Sequence, residues 1–524
     1  CLGGLVSQVD LIERNKPRES INDFSTAAHD KEGKFQVENT RFTTRVRQSK
    51  QVLEDANGAQ FTSKATKARG KHTTLTFHNG RPSHKVSHIK VLGREEATNS
   101  ERASDELIFR VLAGLDKLSQ STLIKKIWFS QRPSFWSAVR LPIPKSSVLE
   151  DVISTVILNG SQKAAARAMV GDSHIVVVHG PPGTGKTTTI AASALVWDHS
   201  KLPAWIVAHS NVAVKNIAES FAKKKVDFKL LVSKEFYEEW HEHLYEGVVD
   251  RLIQSDQLSD THADINRLFM GSCVVLSTLS MLSNPTLFQC GAFKLVPLER
   301  LVIDEASQIN IFEFLHVFHT HQKTLQKVCF FGDPFQLPPF GKEEVPAIQT
   351  IFDLEHVMKS ARTVFLDTQY RMPTPIGSFI SQNVYQGRLN SVHKIQAPGC
   401  LAFIDATRTG EEKQGKSTRN TGEVDVIVSL VRHYYGSTNF CVITPYDAQR
   451  SAIQDALKRE GLPWEPVFNL DSFQGSLDSG DFYKIYSLVL FRQRSRLCSG
   501  LCCAFNTARI SFVSQSDERH VDEV

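Results

Sequence analysis

The chain has 524 residues, 41% of them apolar and 22% charged, which suits about two to four domains with buried cores. No stretch reaches the ~20 consecutive apolar residues of a membrane-spanning helix, so no membrane partner is expected. The formal net charge of +5 excludes little by itself, but nine scattered cysteines without a Cys-x-x-Cys pair argue against zinc modules and a secreted disulfide framework. Cys498, Cys502 and Cys503 are close in sequence but lack a His or Cys partner at ligand spacing, and read as free thiols. An intracellular, reducing compartment is the expectation, nucleus or cytoplasm.

The chain opens Cys1-Leu-Gly-Gly-Leu-Val and continues into polar sequence, which does not read as a signal peptide. It lacks an initiator Met, which points to a fragment or an incomplete gene model. Residues 1 to about 35 are polar and mixed, and poor order or a short helix is expected there. Residues 41 to 90 hold eleven Lys or Arg against two acids, Glu54 and Asp55. Such a stretch suits a phosphate backbone, and a solvated surface has the same composition. Within it, 72–77 alternates like a strand, His78-Asn79-Gly80 signals a turn, and 85–92 reads as a second strand. Together these suggest a small basic β module over about 36–98. Leu107, Ile108, Val111, Leu112, Leu115 and Leu118 then recur at helical spacing over about 101–129. Pro133, Pro142 and Pro144 punctuate the exit.

From about 150 the texture changes. Apolar runs at 174–178, 205–208, 274–278, 301–303 and 328–331 alternate with helical patterns and read as buried parallel strands of an α/β domain. A charged, helical-looking insert at about 219–270 interrupts them. A second α/β block follows from about 359, with strands near Val364, Ala402, Phe440, Val467, Ile485 and Ile510. The expected division is therefore an accessory region over 1–149, a first α/β domain over 150–358 and a second over 359–524.

Two motifs carry chemistry. Gly180, Pro181, Pro182, Gly183, Thr184, Gly185, Lys186 and Thr187 match G-x-x-x-x-G-K-[ST], after an apolar strand and before a helix that opens at Thr188. The glycines let successive backbone N–H groups turn inward around phosphate oxygens at a helix N-terminus. Lys186 would reach the β- and γ-phosphates, and Thr187 would place its hydroxyl on Mg²⁺. In Leu301-Val-Ile-Asp304-Glu305, an apolar strand delivers two carboxylates at its C-terminal end. Asp304 would hold Mg²⁺ through water, and Glu305 would orient or deprotonate the attacking water.

Asp304-Glu305-Ala-Ser-Gln308 together with this P-loop resembles superfamily 1 helicases, in the branch of the nonsense-mediated-decay helicase and senataxin. The rest of that family's series appears in order over about 150–524. Leu158-Asn159-Gly160-Ser161-Gln162 resembles the adenine-reading motif, with Gln162 the reader. Ser210 and Asn211, then Thr278, resemble nucleic-acid contacts. Gly332-Asp333-Pro-Phe-Gln336 resembles the coupling motif, whose Gln senses the γ-phosphate. In Gln369-Tyr370-Arg371-Met372, Arg371 would touch the γ-phosphate and Tyr370 would lie against adenine. Thr444-Pro445-Tyr446-x-x-Gln449 and Asp471-Ser472-Phe473-Gln474-Gly475 complete the set. The first and Ser472 are matched to the nucleic acid, and Gly475 to the nucleotide.

The resemblance implies two RecA-like P-loop NTPase domains with parallel sheets, a small N-terminal β-barrel-like module and a helical insert. It implies ATP and Mg²⁺ as cofactors, single-stranded or partly duplex RNA or DNA as partner, and movement 5′ to 3′ driven by hydrolysis. Two departures bear on turnover. The family's Gln-Gly-x-Glu is here Gln474-Gly475-Ser476-Leu477-Asp478, and Leu477 cannot accept a ribose hydroxyl. The arginine-finger motif reads Phe505-Asn506-Thr507-Ala508-Arg509, with Thr507 at the finger position and Arg509 two residues on. A finger is worth ~10³-fold or more in rate. An active motor and an ATP-gated nucleic-acid clamp with weak hydrolysis are thus both consistent with the motifs. Nothing in the pattern separates DNA from RNA, because no residue is assigned to a 2′-hydroxyl.

Overall fold

The computed structural model describes residues 99–129, 142–233, 242–258, 262–339, 341–342, 345, 347–397, 410–414, 417–435 and 440–469, and the backbone of seven further strands. The chain forms two compact units. One gathers Cys1–Val148, Ala194–Cys329 and Pro339–Ala361, and the other Leu149–Ser193, Phe330–Pro338 and Arg362–Val524.

In the first unit, strands β1 (Glu19–His29), β2 (Phe35–Asn39), β3 (Gln51–Asp55), β4 (Gln60–Arg69), β5 (His72–Phe77) and β6 (Val86–Leu92) close a barrel in the order β1-β2-β5-β4-β3-β6. All its pairings are antiparallel. Two local expectations fail here. The stretch expected to be poorly ordered or helical contains β1, held by a distant partner from Glu19↔Leu92 to Asp23↔His88. The turn signal at Asn79-Gly80 does not join neighbours either, since β5 pairs with β2 and β4 while β6 pairs with β1 and β3. Closure of a barrel edge, which no short-range pattern encodes, decides both.

The helical stretch after the barrel holds two α-helices. A helix at Asn99–Leu112 stops before Gly114, whose φ of +74° is a left-handed conformation, and a second helix at Thr122–Trp128 starts on a Ser121 cap.

Eight parallel-type strands follow: β7 (Ile175–His179), β8 (Ala204–Ala208), β9 (Lys229–Val232), β10 (Leu252–Gln254), β11 (Val274–Thr278), β12 (Arg300–Asp304), β13 (Lys327–Gly332) and β14 (Arg362–Phe365). In the first unit the order is β10-β9-β11-β8-β12, with β13 beside β12. In the second, β7 lies between β13 and β14. Every residue of β8, β11 and β12 is buried, which is why the apolar stretches within them show no alternation.

The insert expected to be helical is only partly so. Lys229-Leu-Leu-Val232 is buried throughout and pairs parallel with β11, and Leu252–Gln254 extends the sheet by pairing with β9. Both strands are too short for periodicity to announce. β14, just past residue 358, pairs with β7 from Arg362↔Val176 to Phe365↔His179.

The second unit adds β15 (Thr368–Gln369) beside β16 (Asn390–Ser391), a hairpin of β17 (Glu411–Gln414) and β18 (Ser417–Asn420), and a sheet β20-β19-β21. In that sheet β19 is Phe440–Thr444, β20 Val467–Asn469 and β21 Ser487–Leu490. Ile427 and Val431, Val442, and Ile453 and Leu457 form its buried core with the helices Thr421–Leu430 and Asp447–Arg459. The strands expected near Ala402 and Ile510 lie outside the described residues. Among the described residues no helix is long and apolar enough to cross a membrane.

Trp205, fully buried on β8, donates from Nε1 to the Val296 carbonyl at 3.0 Å. Trp205→Ala is expected to cost about 3–5 kcal/mol, since it leaves a cavity and an unsatisfied carbonyl. A urea unfolding midpoint close to wild type would contradict this.

Candidate nucleotide and nucleic-acid site

The P-loop leaves β7 at His179 and enters the helix Lys186–His199. Its conformation depends on two left-handed glycines, Gly183 at φ +75° and Gly185 at φ +79°. Gly180 donates its backbone N–H to the Gly332 carbonyl at 2.9 Å, fixing the loop to the end of β13. Thr184 is fully buried and donates its hydroxyl to the Pro181 carbonyl at 2.7 Å. Lys186 Nζ donates to the Gly180 carbonyl at 3.0 Å, folding the ammonium back over the loop. Pro181 and Pro182 are buried, and Thr187 and Thr188 are half-buried.

The loop is packed so closely that side chains are excluded at three positions. A Cβ on Gly180 would stand 2.6 Å from Lys186 Cγ, one on Gly183 2.5 Å from Arg371 Cβ, and one on Gly185 2.4 Å from Gln162 Nε2. A loop bare of side chains, with inward N–H groups and a lysine at its rim, fits the phosphates of a nucleotide.

Gln162 and the Gln369–Met372 segment are thus brought to the P-loop. Asn159 and Gln162 form a capping box at the start of the helix Gly160–Val170. Gln162 Oε1 accepts from Asn159 N at 2.9 Å, and its Nε2 donates to the Thr184 carbonyl at 2.9 Å. As placed, its amide ties the P-loop at Thr184 to the start of the helix Gly160–Val170, so contact with a base would exchange one of these bonds. Tyr370, exposed at 43%, donates its backbone N–H to the Gly183 carbonyl, and its hydroxyl accepts from Asn159 Nδ2 at 2.9 Å. Arg371 donates its backbone N–H to Gln369 Oε1 at 2.9 Å. Ser161 donates to Asp367 Oδ1 at 2.8 Å, adding a second tie between these segments.

The loop after β13 carries Gln336, nearly buried. Its Nε2 donates to Asp333 Oδ2 at 3.1 Å. Asp333 is fully buried, and burial would push its carboxyl up. Hydrogen bonds from His179 and Tyr385 and the nearby Lys186 charge outweigh that and hold it below the ordinary value. The sequence motifs leave His179 and Tyr385 without a role. The position of His179 directly before the P-loop was a usable signal, and Tyr385 offered none.

In the first unit, the acidic pair and the strand motifs share one sheet edge. Asp304 pairs in register with Ala208, and Ala208 with Thr278, so three neighbouring parallel strands end level. Ser210 caps the helix Asn211–Lys223, its hydroxyl accepting from Ala213 N at 3.1 Å. Thr278 Oγ1 lies 3.1 Å from Ser280 Oγ. Asp304 is buried and accepts at Oδ1 from Glu305 N at 3.0 Å. Glu305 itself has φ +54°, a left-handed backbone rare outside glycine and characteristic of functional turns.

In the second unit, Thr444 ends β19 and is buried, Pro445 is exposed, and Tyr446 precedes the helix Asp447–Arg459. Gln449 is buried and braces Asn420, accepting from its N–H at 2.7 Å and donating to its carbonyl at 3.2 Å. Gln449 Nε2 also donates to Glu423 Oε2 at 3.2 Å. Burial and the Glu411 charge push the Glu423 carboxyl up to about 7. Ser472, Gly475, Leu477, Asp478, Thr507 and Arg509 lie outside the described residues.

Two family models, each described as an AAA domain, match residues 157–406 and 349–489. The DNA-binding protein SMUBP-2 of Rattus norvegicus is 24% identical over 400 residues, covering 64% of this chain and 40% of that protein. The DNA replication ATP-dependent helicase/nuclease DNA2 of Mus musculus is 24% identical over 426 residues, 70% of this chain and 38% of that one. The 3'-5' exoribonuclease HELZ2 of Mus musculus is 27% identical over 230 residues, 39% of this chain and 8% of that one. These matches to AAA-domain models and to helicase-named proteins agree with the resemblance of the motif series to superfamily 1 helicases. The chain spans 40% or less of the length of these three relatives.

Two outcomes follow from this geometry. Gly185→Ala forces a Cβ onto a left-handed residue against Gln162, at ~1–2 kcal/mol for the backbone alone, so nucleotide affinity should fall by about tenfold or more. Titration with a fluorescent nucleotide measures it, and unchanged affinity would refute the packing argument. For Glu423, the folded value lies above the ordinary 4.5, so the native state holds a proton that the unfolded chain releases. Stability from this group is lost as pH rises from 4.5 through about 7. Glu423→Gln should therefore raise Tm relative to wild type at about pH 8 and lose that advantage at about pH 4.5. An equal difference at both pH values would count against it.

Proposed function

We propose that this chain is an ATP-dependent nucleic-acid helicase or translocase that couples ATP hydrolysis to movement on single-stranded RNA or DNA, 5′ to 3′. The observation that carries the reading is the glycine cradle, closed to side chains by Lys186, Gln162 and Arg371. In this reading two RecA-like domains form the motor, β1–β6 is an accessory module, and the protein works in the nucleus or cytoplasm.

The P-loop N–H groups and Lys186 bind the β- and γ-phosphates of ATP. Thr187 and, through water, Asp304 are the residues suited to Mg²⁺, which neutralises charge on the transferred phosphoryl group. Glu305 orients or deprotonates the attacking water. Gln336 and Arg371 sense the γ-phosphate, Tyr370 lies against the base, and Gln162 favours adenine. Ser210, Asn211 and Thr278, with Thr444, Pro445, Tyr446 and Ser472, hold the strand. Gly475 contacts nucleotide, and Arg509 supplies what remains of the arginine-finger motif.

A second reading rests on Leu477 and Thr507: an ATP-gated nucleic-acid clamp with weak hydrolysis. Steady-state ATP turnover without nucleic acid, with single-stranded DNA and with single-stranded RNA separates the two. The motor reading expects strong stimulation by a single strand, abolished in Lys186→Ala and Glu305→Gln. ATP binding without stimulated turnover, restored by Thr507→Arg, would replace it with the clamp.

A further inference from the structure

The buried carboxylate of Asp333 collects four hydrogen bonds from three parts of the second unit. Oδ1 accepts from the Phe335 N–H at 3.1 Å and lies 3.0 Å from His179 Nε2. Oδ2 accepts from Gln336 Nε2 at 3.1 Å and from the Tyr385 hydroxyl at 2.5 Å. A carboxylate can only accept, so the Nε2 of His179 carries a proton at this contact. His179 ends β7 immediately before the P-loop, and Tyr385 follows the helix Thr374–Val384, which begins just after Arg371-Met372-Pro373.

We infer that Tyr385 and His179 are positioning residues for nucleotide hydrolysis, acting through Asp333 to hold the Gln336 amide against the P-loop strand. Gln336 has one side-chain tie in this network, to an oxygen it shares with Tyr385. Without the Tyr385 hydroxyl, that oxygen loses one of its donors, while Oδ1 keeps Phe335 N–H and His179, so the hold on the Gln336 side of the carboxylate loosens. Gln336 then loses a fixed orientation. The Tyr385 ring is almost fully buried and packs edge-on to Phe335 at 5.6 Å, so Tyr385→Phe preserves the ring packing and removes only the hydroxyl. The carboxylate geometry links three segments, so a nucleotide that pulls on Gln336 also loads the end of β7 and the helix after Arg371. The inference rests on the proposed reading of the chain as a nucleic-acid-stimulated ATPase.

The test uses the full chain and four forms: wild type, Tyr385→Phe, His179→Gln and His179→Ala. Steady-state ATP turnover with and without a single strand is measured beside hydrogen exchange of the Phe335 and Gln336 amides, which are bonded to Asp333. Tyr385→Phe should lower stimulated kcat by about tenfold, leave KM for ATP within about twofold, and speed exchange at both amides. His179→Gln, whose side-chain amide can replace the donor, should keep most of kcat, whereas His179→Ala should fall with Tyr385→Phe. Unchanged exchange in Tyr385→Phe overturns the inference whatever the activity. So does wild-type kcat in Tyr385→Phe, a rise in KM and fall in Tm that match the loss of kcat, or equal loss in His179→Gln and His179→Ala. A wild type that no single strand stimulates defeats the functional reading instead, and the exchange measurement still decides the positioning of Gln336.

Discussion

Parallel pairing is the constraint on which the rest depends. Parallel strands all finish at the same edge, so each returning crossover delivers its next loop to that edge. In the first unit Ala208, Thr278 and Asp304 end level, and the cap of the helix Asn211–Lys223 follows directly after β8. In the second, His179 and Phe365 end level, and the P-loop and the Tyr370-Arg371 segment follow them. Residues nearly 200 positions apart in sequence thereby meet the same loop, as Gly183 and Arg371 do.

A second constraint works on the polar groups this arrangement buries. A buried amide or carboxylate must be matched atom for atom, because an unmatched one costs about 1–3 kcal/mol. Gln162, Gln449 and Asp333 meet this demand by bridging backbone groups or neighbouring side chains of separate segments. The same residues that the family pattern marks for ligands therefore hold the framework in place. Such sites are stiff, since moving one partner leaves several groups unsatisfied at once.

Much of the site was legible because its residues are constrained by chemistry at fixed local spacing. A phosphate cradle needs glycines where φ is positive, and Gly183 and Gly185 have that conformation. A short apolar run ending in Asp304-Glu305 reads as a buried strand with acids at its end, and β12 is buried throughout. The partners of those residues were not legible. Tyr385 follows an ordinary helix, and nothing within several residues of it signals that its hydroxyl meets Asp333. Gln162 looks like a reader of bases from its motif, and only its neighbours reveal that both amide atoms already have partners.

By itself the sequence determined the P-loop turn, the placement of the acidic pair at a strand end and the run of buried strands, because each depends on residues adjacent in the chain. Tertiary structure decided which strands pair: β1 with β6, and the two short strands of the charged insert at the end of the first unit's sheet order. It also decided which side chains fix Gln336. Those outcomes depend on closing a sheet edge and on satisfying buried polar atoms, and both are settled between segments far apart in sequence.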